Sequence, residues 1–198
     1  MSSAQAPRRR SGAERPGAQG CRAPHEPASR PNTRWSIDFM RDTLATARVF
    51  RLFNVVGDCT HEPLAMAVFT SFPGSAVAAV LTQLVAARGR PDRIVCDNDP
   101  ECITRAVAVW AAAHRVTLQH IQRGKPNPSA LVESFNSRVR DECRTHYRFL
   151  SLANAQRPLA AYQHECCTAR PHSALENRPP AEIAAAFTNT DRSTPSLR

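Results

Sequence analysis

The hydrophobic periodicity of the chain changes from two residues to about 3.6 near residue 70, and this change limits the possible folds most. Before that point, residues 35–40 alternate apolar and polar side chains, as a half-buried strand does, and two further strands are predicted over 49–56 and 64–69. Short turns separate the three segments. They therefore predict a three-stranded antiparallel meander.

Beyond this point, helical and strand patterns alternate along the chain. The first helix has one apolar face drawn from residues 77–85, with Ser75 as its expected N-cap and Gly89 as its C-terminal stop. Short strands over 94–96 and 116–121 flank a second helix. Because parallel neighbours need a crossover connection, this order predicts an α/β fold with a mixed five-stranded sheet flanked by helices.

The remaining helices are placed by caps and prolines. The second helix is expected to begin at Pro100, since proline suits the first helical position. Its buried face is expected to hold Ile103, Val107 and Trp110. Ser129 is expected to cap a long helix, another helix follows Ser151, and a last short helix begins near Pro179.

The charge of the chain points to a polyanionic partner. A net charge of +9 and a pI of about 10.0 favour nucleic acid or an anionic membrane surface, although an Arg-rich soluble protein from a GC-rich genome has a similar balance. Residues 1–33 are rich in Arg, Pro and Ser and lack hydrophobic periodicity. This composition is typical of a disordered basic arm.

Neither an export signal nor a membrane span is visible, so we expect a cytoplasmic protein without a membrane partner. The seven cysteines are irregularly spaced and include no Cys-x-x-Cys pair. Free thiols are therefore expected, not a disulfide framework or a zinc site.

Three carboxylates stand out by position. Asp38 interrupts an otherwise apolar strand, Asp97 follows the fourth strand at its carboxyl edge, and Glu133 lies in the first turns of the long helix. Each has an ordinary alternative explanation. Asp38 can face solvent, Asp97 can form a turn, and Glu133 can interact favourably with the helix dipole.

The long helix carries two neighbouring faces. The apolar face comprises Val132, Phe135, Val139 and Cys143. The polar face comprises Glu133, Asn136, Arg140 and Arg144. A carboxylate beside arginines suits a surface that binds metal and phosphate, while a solvated face with ordinary ion pairs has the same spacing.

Six short motifs occur in a fixed order: Trp35-Ser36-Ile37-Asp38-Phe39, Val95-Cys96-Asp97-Asn98-Asp99-Pro100-Glu101, Gly124-Lys125-Pro126, Val132-Glu133-Ser134-Phe135-Asn136, Arg140-Asp141-Glu142-Cys143 and Arg170-Pro171-His172-Ser173. In this order they resemble the integrase-core transposases of bacterial insertion sequences, which belong to the retroviral-integrase superfamily. The resemblance extends from about residue 35 to residue 187. It includes the 35 residues between Asp97 and Glu133, a spacing characteristic of the family.

The resemblance implies a ribonuclease-H-like catalytic core over 34–147, followed by a C-terminal helical extension and tail over 148–198. It implies that Asp38, Asp97 and Glu133 form a catalytic triad that holds two Mg²⁺ or Mn²⁺ ions. In such a sheet the first and fourth strands are neighbours, so the two aspartates converge. The implied activity is metal-dependent DNA cleavage and strand transfer.

DNA is the implied partner, bound by a homo-oligomer of the chain. The residues expected to contact it are Arg123, Lys125, Asn136, Arg138, Arg140, Arg144, Arg170 and His172. The helix-turn-helix region that usually precedes this core is replaced by the basic arm, so a separate helix-turn-helix region or protein is expected to be needed.

Departures from the family pattern predict a truncated or degenerate copy with impaired activity. Asp99 stands where glycine is usual, Cys166 and Cys167 replace a Tyr-Asn pair, and Pro158 falls about seven residues into a predicted helix. One alternative is a noncatalytic DNA-binding remnant. A ribonuclease H or junction nuclease is another, but the Arg-Pro-His segment resembles transposases.

Overall fold

The computed structural model describes residues 28–97, 100, 102–121, 130–146 and 149–192. Their helices and strands, in chain order, are β1 (Arg34–Thr43), β2 (Val49–Gly57), β3 (Pro63–Phe69), α1 (Gly74–Arg88), β4 (Arg93–Cys96), α2 (Arg105–His114), β5 (Thr117–His120), α3 (Ala130–His146), α4 (Leu152–Thr168) and α5 (Pro180–Arg192). A single 3-10 turn, Ser173–Leu175, precedes α5.

The strands form one mixed sheet in the order β3-β2-β1-β4-β5. The β1–β2 and β2–β3 pairs are antiparallel, whereas β1–β4 and β4–β5 are parallel. The predicted meander and parallel crossovers are therefore confirmed. The order makes β1 the central strand, where the antiparallel and parallel halves of the sheet meet.

Alternation along β1 divides the core between the two faces of the sheet. Trp35 and Ile37 pack with α1 and α2. Met40, on the opposite face, packs with α3 and α4. Asp38 alternates with Ile37, so it lies on the α3 side, and the position of α3 decides what surrounds it.

The start of α1 differs from the prediction. Pro73 occupies the N-cap position and the exposed Ser75 lies inside the helix. Gly74, the first helical residue, lies against the side chain of Thr104, and a Cβ atom there would overlap it. The predicted stop at Gly89 is confirmed, and its φ of 87° suits glycine.

The start of α2 is also later than predicted. The helix begins at Arg105, and the Thr104 side chain caps it by accepting a hydrogen bond from the Val107 N–H. Pro100 and Ile103 therefore precede the helix, and Ile103 is exposed where burial was expected. Val107 and Trp110 are buried as predicted.

Helix α4 has a capped N-terminus and contains a proline. Helix α4 follows Ser151, as predicted, and Ser151 caps it by accepting from the Asn154 N–H at 3.1 Å. Helix α4 continues through Pro158 to Thr168. The Ser129 cap lies outside the described residues.

No helix in the described part of the chain is long and apolar enough to cross a membrane. The described cysteines are free thiols, as expected from their spacing.

Candidate catalytic carboxylate site

The pairing of β1 with β4 brings two of the candidate carboxylates to adjacent positions. Ile37 pairs with Cys96 in parallel register. Asp38 is the next residue of β1, and Asp97 directly follows the carboxyl end of β4. Asp97 is exposed and Asp38 is half-buried. The expected convergence of the first and fourth strands is thus seen in the sheet.

The backbone of β1 and a side chain of α3 both donate hydrogen bonds to the Asp38 carboxylate. Its Oδ1 accepts from the Phe39 N–H at 2.8 Å, and its Oδ2 accepts from Asn136 Nδ2 of α3 at 2.7 Å. Asn136 in turn accepts at Oδ1 from Asn54 Nδ2 of β2, at 2.6 Å. Asn136 is only 4% exposed, so this side chain, expected to contact DNA, instead lies inside the site.

Glu133 lies one helical turn before Asn136, on the same side of α3 by the i,i+3 relation. It is exposed, whereas the predicted apolar face of the helix is buried. That face packs on β1 and β2 through Val132, Phe135, Val139 and Cys143. The apolar packing therefore fixes α3 on the sheet, and the Asn136 contact orients this end of the helix towards Asp38.

The three carboxylates suit a divalent cation by chemistry, since Mg²⁺ and Mn²⁺ prefer oxygen ligands. Within the described ranges, however, no group of three or more His, Cys, Asp and Glu lies close enough to hold a metal ion. Asp99 and Glu101, which follow Asp97 closely, lie outside those ranges. The carboxylates are thus brought to one region of the fold without forming a closed metal cage.

The expected DNA-contacting residues fall into different environments. Arg140 is exposed on α3. Arg138 is half-buried, and its Nε makes no hydrogen bond to the described residues. Arg123, Lys125 and the side chain of Arg144 lie outside the described part of the chain.

Arg170 is engaged in an ion-pair network that sequence reasoning missed. Its Nη1 lies 2.5 Å from Glu142 Oε1 and its Nη2 lies 3.1 Å from Glu165 Oε1. Its guanidinium also stacks over the Tyr162 ring. The hydrogen bond from Arg170 lowers the pKa of Glu142. Arg170 therefore joins the segment after α4 to α3.

His172 is buried against a histidine that the motifs did not single out. Its ring contacts that of His61 edge to face, with centroids 5.9 Å apart. Burial lowers the pKa of both histidines, and the nearby charge of Arg138 lowers both further. Asp58 opposes this shift at His61. His61 lies in the β2–β3 turn, and no short-range pattern in the sequence links it to residue 172.

Comparison with protein families identifies the chain. The integrase core domain family matches residues 28–126, and a second family of the same description matches residues 114–180. The chain belongs to the integrase core family. The motif resemblance to the integrase-core transposases of bacterial insertion sequences is therefore confirmed.

Two relatives of this integrase core come from bacterial insertion elements. An uncharacterized 31.7 kDa protein of insertion element IS407 from Burkholderia multivorans is 41% identical over 155 residues, which cover 78% of this chain and 56% of the relative. An uncharacterized 39.2 kDa protein of insertion element IS476 from Xanthomonas euvesicatoria is 38% identical over 160 residues, which cover 81% of this chain and 46% of that relative. The chain thus spans about half the length of these relatives.

Solved structures show the same fold. A simian T-cell lymphotropic virus intasome chain superposes with a TM-score of 0.68 at 15% identity, covering 87% of this chain and 58% of that one. The HTLV-2 integrase catalytic core in complex with magnesium superposes with a TM-score of 0.62 at 14% identity. This match covers 78% of this chain and 97% of the HTLV-2 chain. The BIV integrase catalytic core superposes with a TM-score of 0.61 at 14% identity, and the match covers 82% of this chain and 99% of the BIV chain. The integrase core described above is therefore ribonuclease-H-like, as the motifs predicted.

Proposed function

We propose that this integrase core cleaves DNA and transfers DNA strands with the help of two divalent ions, Mg²⁺ or Mn²⁺. Asp38, Asp97 and Glu133 are the proposed metal ligands. The observation that carries the proposal is that Asp38 and Asp97 each follow directly on the last paired residues of β1 and β4, Ile37 and Cys96. The hydrogen bond from Asn136 to Asp38 supports the third ligand, because it brings the turn of Glu133 to the same site.

Each carboxylate has a role in holding the ions. Asp38 presents oxygens whose orientation is set by the Phe39 N–H and the Asn136 amide. Asp97 and Glu133 are exposed, so their side chains can approach a shared ligand from β4 and α3. When bound, divalent ions activate an attacking water or 3′-hydroxyl and stabilise the leaving oxygen of the phosphodiester.

Favourable charge supports DNA as the substrate. The chain carries 26 Lys and Arg against 17 Asp and Glu, and Arg140 is exposed on α3 beyond Glu133. Arg123, Lys125, Arg138 and Arg144 are proposed as further phosphate contacts, whereas Arg170 and His172 are proposed to act through the packing of the site. Each phosphate contact contributes about −0.9 to the slope of log K against log salt.

The structural neighbours suggest that copies of this chain assemble into an oligomer. One of them is a chain of an intasome, and the HTLV-2 catalytic core is known in dimeric and trimeric forms. We propose that this chain acts as a homo-oligomer on DNA. We also propose that a separate helix-turn-helix region or protein recognises the ends of the element.

Nicking of supercoiled plasmid with Mg²⁺ or Mn²⁺ tests the function. Cleavage is expected with the unmodified chain and loss of cleavage with Asp97→Asn. Asp92→Asn is the matched control, because it makes the same charge change on an exposed residue just before β4. A chain that binds DNA but never nicks it is the noncatalytic remnant. Equal nicking by the two variants would remove Asp97 from the site.

A further inference from the structure

We propose that Asn54 is a positioning residue of this site. It holds the Asn136 amide in the one orientation that can donate to Asp38, and so prepares the Asp38 carboxylate to bind a divalent ion. The inference rests on the proposed function of Asp38 as a metal ligand. It adds a residue from β2, a strand that carries none of the three carboxylates.

The sheet places Asn54 where it can act on the site. Asn54 pairs directly with Asp38 across the antiparallel β1–β2 ladder. Its Nδ2 lies 2.6 Å from Asn136 Oδ1, and Asn136 Nδ2 lies 2.7 Å from Asp38 Oδ2. Asn54 is fully buried and Asn136 is 4% exposed. These two hydrogen bonds form a relay that runs from Asn54 through Asn136 to Asp38. Its two amides are shielded from water, which would otherwise compete for their donors and acceptors.

Only one orientation of the Asn136 amide places a donor opposite each acceptor in the relay. An ionised carboxylate accepts hydrogen bonds and donates none, so Asn136 must turn its NH₂ group towards Asp38. The Asn136 oxygen then faces β2 and needs a donor there. Asn54 supplies that donor. With an apolar side chain at position 54, the buried Asn136 oxygen loses its donor, and Asp38 alone is left to orient the amide.

The surroundings of Asn54 indicate that its amide is kept for this contact. Its neighbours on the same face of β2, Leu52 and Val56, are buried apolar residues of the core against α3 and α4. The Asn54 oxygen is buried and accepts no hydrogen bond from the described residues, while its nitrogen also approaches Met40 Sδ at 3.5 Å. An apolar residue suits this environment better, and a buried polar atom without a partner calls for an explanation. The contact with Asn136 provides one.

The test separates positioning from folding. In Asn54→Leu, Mn²⁺ titrated calorimetrically into the metal-free protein is expected to bind on the order of 10-fold more weakly, as for other residues that orient metal ligands. The melting temperature without metal separately measures the cost to the fold, which is expected because leucine leaves the buried Asn136 oxygen without its donor. Ser36→Ala is the matched control, since Ser36 is a fully buried polar residue two positions before Asp38. It is expected to leave Mn²⁺ affinity unchanged.

A double-mutant cycle tests the route of the effect. If Asn54 acts through Asn136, then Asn54→Leu weakens Mn²⁺ binding in the unmodified chain and has no further effect in an Asn136→Leu background. Equal weakening in both backgrounds would overturn the relay. Should Asn54→Leu fail to fold, the same comparison is made with Asn54→Val, whose β-branched side chain suits a strand.

Asp38→Asn distinguishes this inference from the proposed function. If Asp38→Asn leaves the Mn²⁺ affinity unchanged, Asp38 is not a metal ligand, and both the proposed function of Asp38 and the inference about Asn54 are wrong. If it abolishes binding while both Asn54 variants retain full affinity, the site stands and the inference about Asn54 alone is wrong.

Discussion

Arg170 lies 2.5 Å from Glu142, and this ion pair links the segment after α4 to α3, the helix that carries Glu133 and Asn136. Arg170→Gln is expected to lower the free energy of unfolding by about 1 kcal/mol, since the Glu142 side chain is partly exposed and water screens the pair. Denaturant titration measures this. Arg178→Gln removes a pair between much more exposed side chains and is expected to have almost no effect. Equal effects of both changes would contradict a structural role for Arg170.

Stability is expected to depend on pH through His172. Burial first, and then the charges of Arg138, His61 and Arg170, lower its pKa from the ordinary value of 6.5. The unfolded chain therefore takes up a proton before the folded chain does. The stability contributed by neutral His172 is complete above pH 6.5 and falls as the pH drops from there towards the lowered folded pKa.

The measurement is the melting temperature over a pH range of roughly 7.5 to 5, which spans the titration of an ordinary histidine. His172→Gln is expected to make this decrease shallower, while His61, whose pKa is also lowered, continues to contribute. His164, an exposed histidine on α4, provides the control. If His164→Gln flattens the curve as much as His172→Gln does, the effect does not come from burial.

Pro158 is expected to reduce the stability of α4. It lies within the helix, has no N–H to donate, and its ring crowds the carbonyl one turn earlier, at a cost of about 3 kcal/mol in an ordinary helix. Pro158→Ala is therefore expected to raise the free energy of unfolding, and Pro158→Thr to raise strand cleavage if α4 positions the site. Gln156→Ala, on the exposed surface of the same helix, is the control. A lower stability of Pro158→Ala would mean that the packing of the ring outweighs the missing hydrogen bond.

Divalent metal is expected to stabilise the folded chain. A divalent ion is expected to bind Asp38, Asp97 and Glu133 in the proposed site, and an ion that binds only the folded state adds about 2.7 kcal/mol at roughly 100 times its dissociation constant. Mg²⁺ or Mn²⁺ should therefore raise the melting temperature of the unmodified chain and of Asp92→Asn. The same rise in Asp97→Asn would show that the ion binds elsewhere.

Local patterns in the sequence were sufficient for much of the fold. The change from alternating to helical periodicity predicted five strands and the mixed sheet, because each pattern reports which side of an element is buried. The same reasoning singled out Asp38, a charge in an apolar strand, and the buried face of α3. It failed at the start of α2, where Pro100 suggested the first helical residue but Thr104 caps a helix that begins at Arg105.

The sequence by itself determined the order of the elements, the apolar faces and the family motifs, since these depend on residues close together in the chain. Only the tertiary structure decided the partners of Asn136, Arg170 and His172. Asn54 and Asn136 are separated by 82 positions, and Arg170 and Glu142 by 28. A buried amide or a half-buried guanidinium takes its role from the group that the fold places opposite it, and no local pattern specifies that group.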